Sequence, residues 1–281
     1  VGRITILMRV AVAQTQTGID PDANLKQIIK DLRWAGAEGA SLLATPEMAL
    51  LLDRDRKRMA QHWTQQKARD YIKRLEDAVA HVGIALALGS LPWPLGEQDP
   101  GRFANRSLWI DPDQAVRAHY DKIHLYDAFL PNGEQYQESQ SFCAGDRLVS
   151  LSHEGMSFGL SICFDMRFPS LYKDLRDLGA DIFLIPSSFA RPTGEKHWEV
   201  LLRARAIEHG CFVVAAAQSG GHEDGRQTYG HSLVIDPWGD VLLDMGVGAA
   251  LAWVDLDKAK ISEARERLPT TSLARSWSRS S

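Results

Sequence analysis

A mixed α/β fold, a sheet of both strand directions layered by helices on at least one face, is what this sequence predicts, and three observations predict it. Short apolar runs of strand length alternate with stretches whose apolar residues recur at helical spacing. Two strand-like runs joined through Asp111-Pro112-Asp113 add an antiparallel hairpin to that alternation. No internal repeat, low-complexity block or linker interrupts the 281 residues, so 1–281 reads as a single domain. Helices interleaved with hairpins call for a mixed sheet.

Taken in order, residues 1–7 read as an N-terminal extension, because Met8 opens MRVAVAQTQTG and residues 9–14 form the first strand. Asp20-Pro21-Asp22 starts a helix on which Leu25, Ile28, Ile29, Leu32 and Ala35 recur before Gly36 and Gly39. Residues 41–44 make a second strand, ending at Thr45-Pro46-Glu47. Residues 53–67 are charged without a clean period and read as loop leading into a helix over 68–81, with Tyr71, Ile72, Leu75, Ala78, Val79 and Val82 along one face. Residues 84–90 are strand and 92–101 a turn-rich connection. Residues 102–110 and 115–121 form the hairpin, with Lys122 just past its second arm. Residues 158–162 suit a short strand covered on both faces, although periodicity alone does not separate that from a buried helix. Pro169 fits a first helical position, and Leu171, Leu175 and Leu178 give a stripe that ends at Gly179. Residues 182–186, 211–217, 232–236, 241–244 and 249–255 read as strands, 198–209 and 258–268 as helices, 220–225 as a flexible turn, and 269–281 as a polar C-terminal tail.

Composition removes several function classes. With 44% hydrophobic and 24% charged residues the chain is ordinary for a globular protein, and a net charge of −4 argues against a nucleic-acid partner. Three cysteines without a CxxC pair suit a reducing compartment, so a cytoplasmic protein is expected. No apolar stretch approaches a membrane span, and the amino end lacks a signal-peptide pattern. No membrane partner, metal or cofactor is expected: the His residues show no HExxH, and GGHEDG at 220–225 lacks phosphate-loop spacing. A serine hydrolase would need a GxSxG elbow, and the surroundings of Cys163 do not match a papain-type cysteine.

The stretch 157–172, SFGLSICFDMRFPSLY, points to chemistry at Cys163. The cysteine sits past the end of a strand and shortly before a helix, where ligands bind in open α/β sheets. A lone cysteine ordinarily packs as an inert small hydrophobe, but Asp165 and Arg167 follow in a stretch too polar for a core. Glu47 and Lys122 likewise lie just beyond predicted strands. If those strands are neighbours, a carboxylate, an ammonium and a thiol share one crevice; taken singly, Glu47 and Lys122 are ordinary surface charges.

TPEMAL around Glu47, YDKIHLYDAF around Lys122, YQES around Glu138 and SICFDMRFPSLY around Cys163 occur in one chain order, followed by HWEVLLRARAIE at 197–208, VVAAAQSG at 213–220 and YGHSLVIDPWG at 229–239. On these pieces the sequence resembles the nitrilase superfamily of carbon–nitrogen hydrolases over residues 8–269, and within it the branch of deaminated glutathione amidases and ω-amidases. One departure is Cys143-Ala144-Gly145, where many relatives carry Pro-Gly. The resemblance implies a four-layer α-β-β-α sandwich and a Glu47–Lys122–Cys163 triad with Glu138 as a second glutamate. It implies release of ammonia through a thioester on Cys163, with the oxyanion held by Lys122 and the backbone N–H of Phe164, and association into a homodimer or larger homo-oligomer. The substrate would be a small carboxylate-bearing amide, either like deaminated glutathione or an ω-amide of a 2-oxo acid. Arg167 is the candidate for its carboxylate, against pairing with Asp165; His124, Tyr126, Phe129, Ser187, Phe189, Thr193 and His197 are candidates for the pocket wall. An acyltransferase and a catalytically idle binding subunit are the competing readings.

Overall fold

A computed structural model describes residues 7–96, 99, 101–130 and 133–278. The first half runs β1 (Leu7–Gln14), α1 (Pro21–Ala37), β2 (Leu42–Ala44), α2 (Arg56–His62), α3 (Gln65–Val82), β3 (Ala85–Pro94), β4 (Phe103–Asp111) and β5 (Ala115–Asp121). A small hairpin, β6 (Asp127–Phe129) and β7 (Gln135–Gln137), and the two-residue β8 (Phe142–Cys143) lead to β9 (Ser150–His153) and β10 (Met156–Leu160). Then come α4 (Pro169–Asp177), β11 (Ile182–Leu184), α5 (Arg191–His209) and β12 (Phe212–Ala215). The hairpin β13 (Ser219–Gly221) and β14 (Gln227–Tyr229) follows, then β15 (Leu233–Ile235), β16 (Val241–Asp244), β17 (Ala250–Asp257), α6 (Ala259–Arg267) and α7 (Thr270–Leu273).

The strands form two mixed sheets, ordered β17-β1-β2-β3-β4-β5 and β16-β15-β12-β11-β10-β9. Strand alternation then dictates the layers. Val10, Val12, Leu42, Ala44, Ala85 and Ala87 turn toward the second sheet, while their chain neighbours Ala11, Ala13, Leu43, Leu86 and Leu88 turn to α1 and α3. Trp109 of the first sheet meets Phe158 of the second with ring centroids 4.8 Å apart. On the outer face of the second sheet Phe183 meets Tyr172 of α4 at 5.0 Å. Helix, sheet, sheet, helix is therefore the order of layers.

The capping chemistry is local. Asp20 accepts from the Asp22 N–H ahead of α1, Pro169 opens α4, and α3 ends at Gly83 with φ +82°, a left-handed closure that suits glycine. Several expectations change. Leu7 belongs to β1, paired with Asp257, so the extension is shorter than 1–7, and residues 1–6 lie outside the described residues. The charged 53–67 segment contains α2, capped by Asp55, with Met59 its only buried residue; one apolar anchor leaves no period to read. Strand β3 runs on through Pro92 and Pro94, because β2 pairs with β3 only up to Ala87 and the open side needs no N–H. Helix α5 begins at Arg191 rather than 198, GGHEDG joins the β13–β14 hairpin, and α7 stands within the 269–281 tail, whose residues 279–281 lie outside the described residues. Leu178 is exposed at the end of α4. Among the described residues no helix is long and apolar enough to cross a membrane.

Candidate active site

Glu47 follows β2 and Lys122 follows β5, both of the first sheet but three strands apart, while Cys163 follows β10 of the second sheet. The crevice is therefore between sheets, not between neighbouring strands of one.

Beyond β10 the backbone turns sharply: Cys163 has φ +49°, unusual for a residue with a Cβ, and its N–H donates to the Pro186 carbonyl at 2.9 Å. A 3-10 turn then spans Cys163–Arg167. Asp165 is not the exposed acid its polarity suggested. It is wholly buried, accepting from Tyr120 Oη at 2.7 Å, Ile162 N–H at 2.9 Å, His124 N–H at 3.0 Å and contacting His124 Nδ1 at 2.8 Å. With its carboxylate saturated, Asp165 ties the thiol-bearing elbow to β5 and to the loop that carries Lys122. Arg167 makes no pair with it.

Glu47 is 5% exposed and its two oxygens divide the work. Oε1 accepts from Lys122 Nζ at 3.1 Å and Asn105 Nδ2 at 2.8 Å; Oε2 accepts from the Ser188 N–H at 2.7 Å. The Cys163 thiol lines the same cleft as this carboxylate. The turn behind it is tight: Met48 has φ +58°, and a Cβ on Gly89 would stand 2.1 Å from the Thr45 carbonyl oxygen. Gln218, fully buried, donates to the Glu47 carbonyl at 3.0 Å and to Thr17 Oγ1 at 2.7 Å. Lys122 is 1% exposed and donates also to Glu138 Oε2 at 2.8 Å. Glu138 accepts further from the Tyr126 N–H at 2.6 Å and Asn105 Nδ2 at 3.0 Å. The Lys122 carbonyl accepts from Gly145, where a Cβ would lie 2.2 Å from the Asp121 carbonyl oxygen. The Cys143-Ala144-Gly145 departure thus keeps the residue that close approach requires.

Charge follows from this enclosure. Burial alone raises the Glu47 pKa, but the Lys122 ammonium and the hydrogen bonds from Asn105 and Ser188 outweigh it and hold the carboxyl below its ordinary range. Burial opposes the Lys122 charge, yet Glu138 and then Glu47 hold the ammonium well above its usual pKa. The Cys163 thiol is pushed far up, first by burial and next by the Glu47 charge, with Lys122 pulling the other way.

A cleft of about 560 Å³ opens over these groups, lined by Glu47, Lys122, Cys163, Glu138, Asn105, Tyr126 and Ser188, with residues of α2 and of both small hairpins. The other expected wall residues stand elsewhere. His124 stacks on Phe168 at 3.6 Å, and Phe129 is 73% exposed. Ser187 is buried and donates to Ile185 O, leaving its neighbour Ser188 at the cleft. Phe189 packs on Trp198 and Thr193 Oγ1 bonds Ala190 O. His197 Nδ1 lies 3.3 Å from Arg167, whose guanidinium rests over the Phe164 and Phe189 rings at 5.6 and 5.4 Å. Phe164 is the second residue of the 3-10 turn, where helical geometry supplies no acceptor for its N–H. Asn105, Ser188 and Gln218 were not anticipated. The signal for Asn105 was an amide within the otherwise strand-forming FANRSLWI, where asparagine is disfavoured.

The sequence profile described as carbon-nitrogen hydrolase matches residues 9–266. A deaminated glutathione amidase of Synechocystis sp. is 34% identical over 249 residues, 88% of this chain and 90% of that protein. The crystal structure of the Caenorhabditis elegans NitFhit protein superposes with a TM-score of 0.89 at 34% identity, covering 96% of this chain and 66% of that one. An amidase mutant from Nesterenkonia sp. AN1, bearing acrylamide added to its active-site cysteine, gives a TM-score of 0.78 at 29% identity, covering 95% of this chain and 100% of that one.

Proposed function

This chain belongs to the carbon–nitrogen hydrolase family and is an amidase of non-peptide carbon–nitrogen bonds, and on that premise we propose that Glu47, Lys122 and Cys163 carry out the hydrolysis through a thioester. The supporting observation is one buried carboxylate that binds an ammonium and lines the same cleft as a thiol. Glu47 accepts the thiol proton as sulfur attacks the amide carbon. Lys122 and the Phe164 N–H hold the developing oxyanion. Glu47 then hands its proton to the departing nitrogen, and ammonia or an amine leaves. A water deprotonated by Glu47 attacks the thioester, the C–S bond breaks, the acid departs, and Glu47 returns the proton to the Cys163 sulfur. Glu138 accepts from Lys122 and from the Tyr126 N–H, so it fixes the ammonium without touching the reacting carbon.

The acyl part carries a carboxylate in this reading, as in a deaminated-glutathione-like amide or the ω-amide of a 2-oxo acid, and Arg167 receives it. Asp165 is committed elsewhere, and no acid lies within ion-pair distance of Arg167 among the described residues. Three free thiols accord with a cytoplasmic setting, and we read the whole chain as one catalytic domain acting in a homodimer. The test is release of amine or ammonia from a panel of such amides by wild type and Cys163→Ala. Turnover confined to the wild type is expected; release that survives in the variant ends the thiol mechanism. Lys122→Met should lower kcat by about 10²–10³, the usual loss on removing an oxyanion donor.

A further inference from the structure

Gln218 is the first polar residue after the apolar run 211–217, and the reaction described above gives it no part. It is wholly buried, stands outside the lining of the cleft, and has both N–H bonds and both lone pairs of its side-chain amide in use. Nε2 donates to the Glu47 carbonyl at 3.0 Å and to Thr17 Oγ1 at 2.7 Å; Oε1 accepts from the Thr17 N–H and from Thr15 Oγ1, each at 3.0 Å. A backbone carbonyl only accepts and a backbone N–H only donates, so these partners fix which end of the amide is which. The main chain here bridges the two sheets. Thr15, past the end of β1, forms a bridge with Gln218, past the end of β12, and the Ser219 N–H donates to the Thr15 carbonyl at 2.8 Å. The Gln218 N–H donates to the Ser187 carbonyl at 2.9 Å, and the next residue, Ser188, gives its own N–H to Glu47 Oε2 at 2.7 Å. These contacts close into a ring that leaves Glu47 at its carbonyl and returns to it at its carboxylate.

Resting on the reading of Glu47 as the base, we propose that Gln218 is a positioning residue for that carboxylate: its amide holds the Glu47 main chain, and the segment it hydrogen-bonds holds the carboxylate through Ser188. A base gripped at both ends has one place to be when it takes the thiol proton, serves the leaving nitrogen and activates water. Misplacement by about 1 Å can cost about 10²-fold in rate, so such a grip has kinetic weight. It also comes from the opposite sheet, since Glu47 follows β2 of the first while Gln218 and Ser188 follow β12 and β11 of the second. Other anchors of the turn lie within the first sheet: Ser90 Oγ accepts from the Met48 N–H at 2.9 Å and the Ser90 carbonyl from the Ala49 N–H at 3.0 Å. Those anchors keep the turn on its own sheet; Gln218 sets it against the sheet that carries Cys163. The titratable groups around this clamp are Lys122, Glu138 and Cys163 on the carboxylate side and His222 behind Thr17, with Nδ1 2.9 Å from the Thr17 carbonyl.

Gln218→Met keeps the length of the side chain and removes its hydrogen bonds. On an amide from the panel above, kcat should fall by about tenfold or more while KM stays within about twofold, since Gln218 does not line the cleft. Thr17→Val leaves Gln218 in place and removes one of its partners, and should lower kcat by about threefold with KM unmoved. The Glu47 carboxyl is read directly by infrared difference titration of Cys163→Ala, assigned through the band that adding Glu47→Gln deletes; His222 contributes no carboxyl band. Adding Gln218→Met instead should raise the midpoint by about 1 in pH, because the carboxylate loses the firm hold of the Ser188 N–H. A lower melting temperature with kcat and midpoint unmoved makes Gln218 a packing residue and overturns the proposal. Should Gln218→Met not fold, an unmoved kcat in Thr17→Val overturns it alone. A raised midpoint with no amide hydrolysis by wild type would keep the clamp and remove the amidase reading; hydrolysis abolished by Cys163→Ala beside an unmoved midpoint would do the reverse.

Discussion

Glu47 and Cys163 are driven apart in proton affinity by one enclosure. Lys122, Asn105 and the Ser188 N–H hold the Glu47 carboxyl below its ordinary range, while burial and the Glu47 charge hold the thiol above its own. The resting pair is therefore carboxylate and thiol, and in the proposed mechanism the sulfur becomes nucleophilic only as its proton moves. A pH profile follows, with the sign fixed by the lowered carboxyl: kcat/KM stays level across neutrality and falls on the acid side only below about pH 4.5, where Glu47 takes up a proton before the substrate arrives. A profile that climbs through about pH 8.5, tracking a free thiol, would contradict Glu47 as the base. Asn105 supports the same carboxylate, donating to Glu47 and Glu138 from one amide nitrogen. Asn105→Ala should cut kcat by about tenfold and move the acid limb upward, because an ionised carboxyl loses a donor. A drop in melting temperature with an unmoved acid limb would assign Asn105 a packing role only.

At the level of elements, the tight turn after β2 is what aims Glu47, and it depends on the backbone of β3. A Cβ on Gly89 would lie 2.1 Å from the Thr45 oxygen and 2.3 Å from the Pro46 oxygen, so the turn and the strand cannot both keep their places. Gly83, with φ +82° and nothing within 4 Å of a built Cβ, presents strain without collision. Gly83→Ala should cost only about 1–2 kcal/mol, the left-handed penalty, and leave kcat unchanged. Gly89→Ala should cost more than about 3 kcal/mol and take activity with it; urea melts of both variants, with equal losses, would show that the close approach is not what matters. This contrast also explains what the sequence could and could not disclose. Long periodic helices such as α1 and α3, and strands with alternating apolar residues, declared themselves because many side chains repeat one signal. Helix α2, anchored by Met59 alone, and the hairpins β6–β7 and β13–β14 carry no repeat, and these elements line the cleft. The meeting of Glu47, Lys122 and Cys163 in one cleft was legible through their motifs; the residues around them were not, since Ser188 acts through its N–H and Gln218 through a contact with a backbone carbonyl 171 positions away.

At the scale of the molecule, neither sheet holds the site alone: the first supplies Glu47 and Lys122, the second Cys163, and Trp109 against Phe158 keeps them in register. What secures the outer layer of the second sheet is therefore a condition on catalysis. That layer leaves apolar surface uncovered: on α5, Val200 is 67% and Ile207 45% exposed, and Trp238 and Leu268 are 50% and 52% exposed. Ile207, Trp238 and Leu268 line one hollow of about 350 Å³ beside α6 and the C-terminal segment. If the chain is the homodimer proposed above, this apolar face is where a second copy would sit. The same face on both copies would meet about a two-fold axis. Light scattering at micromolar concentration should then give twice the 31.2 kDa of one chain. The double variant Val200→Asp, Ile207→Asp should shift that mass to the monomer, since each introduced carboxylate would be buried without a partner in the joined surface. A monomer mass for the wild type removes the dimer, and a dimer that persists in the variant moves its interface away from α5.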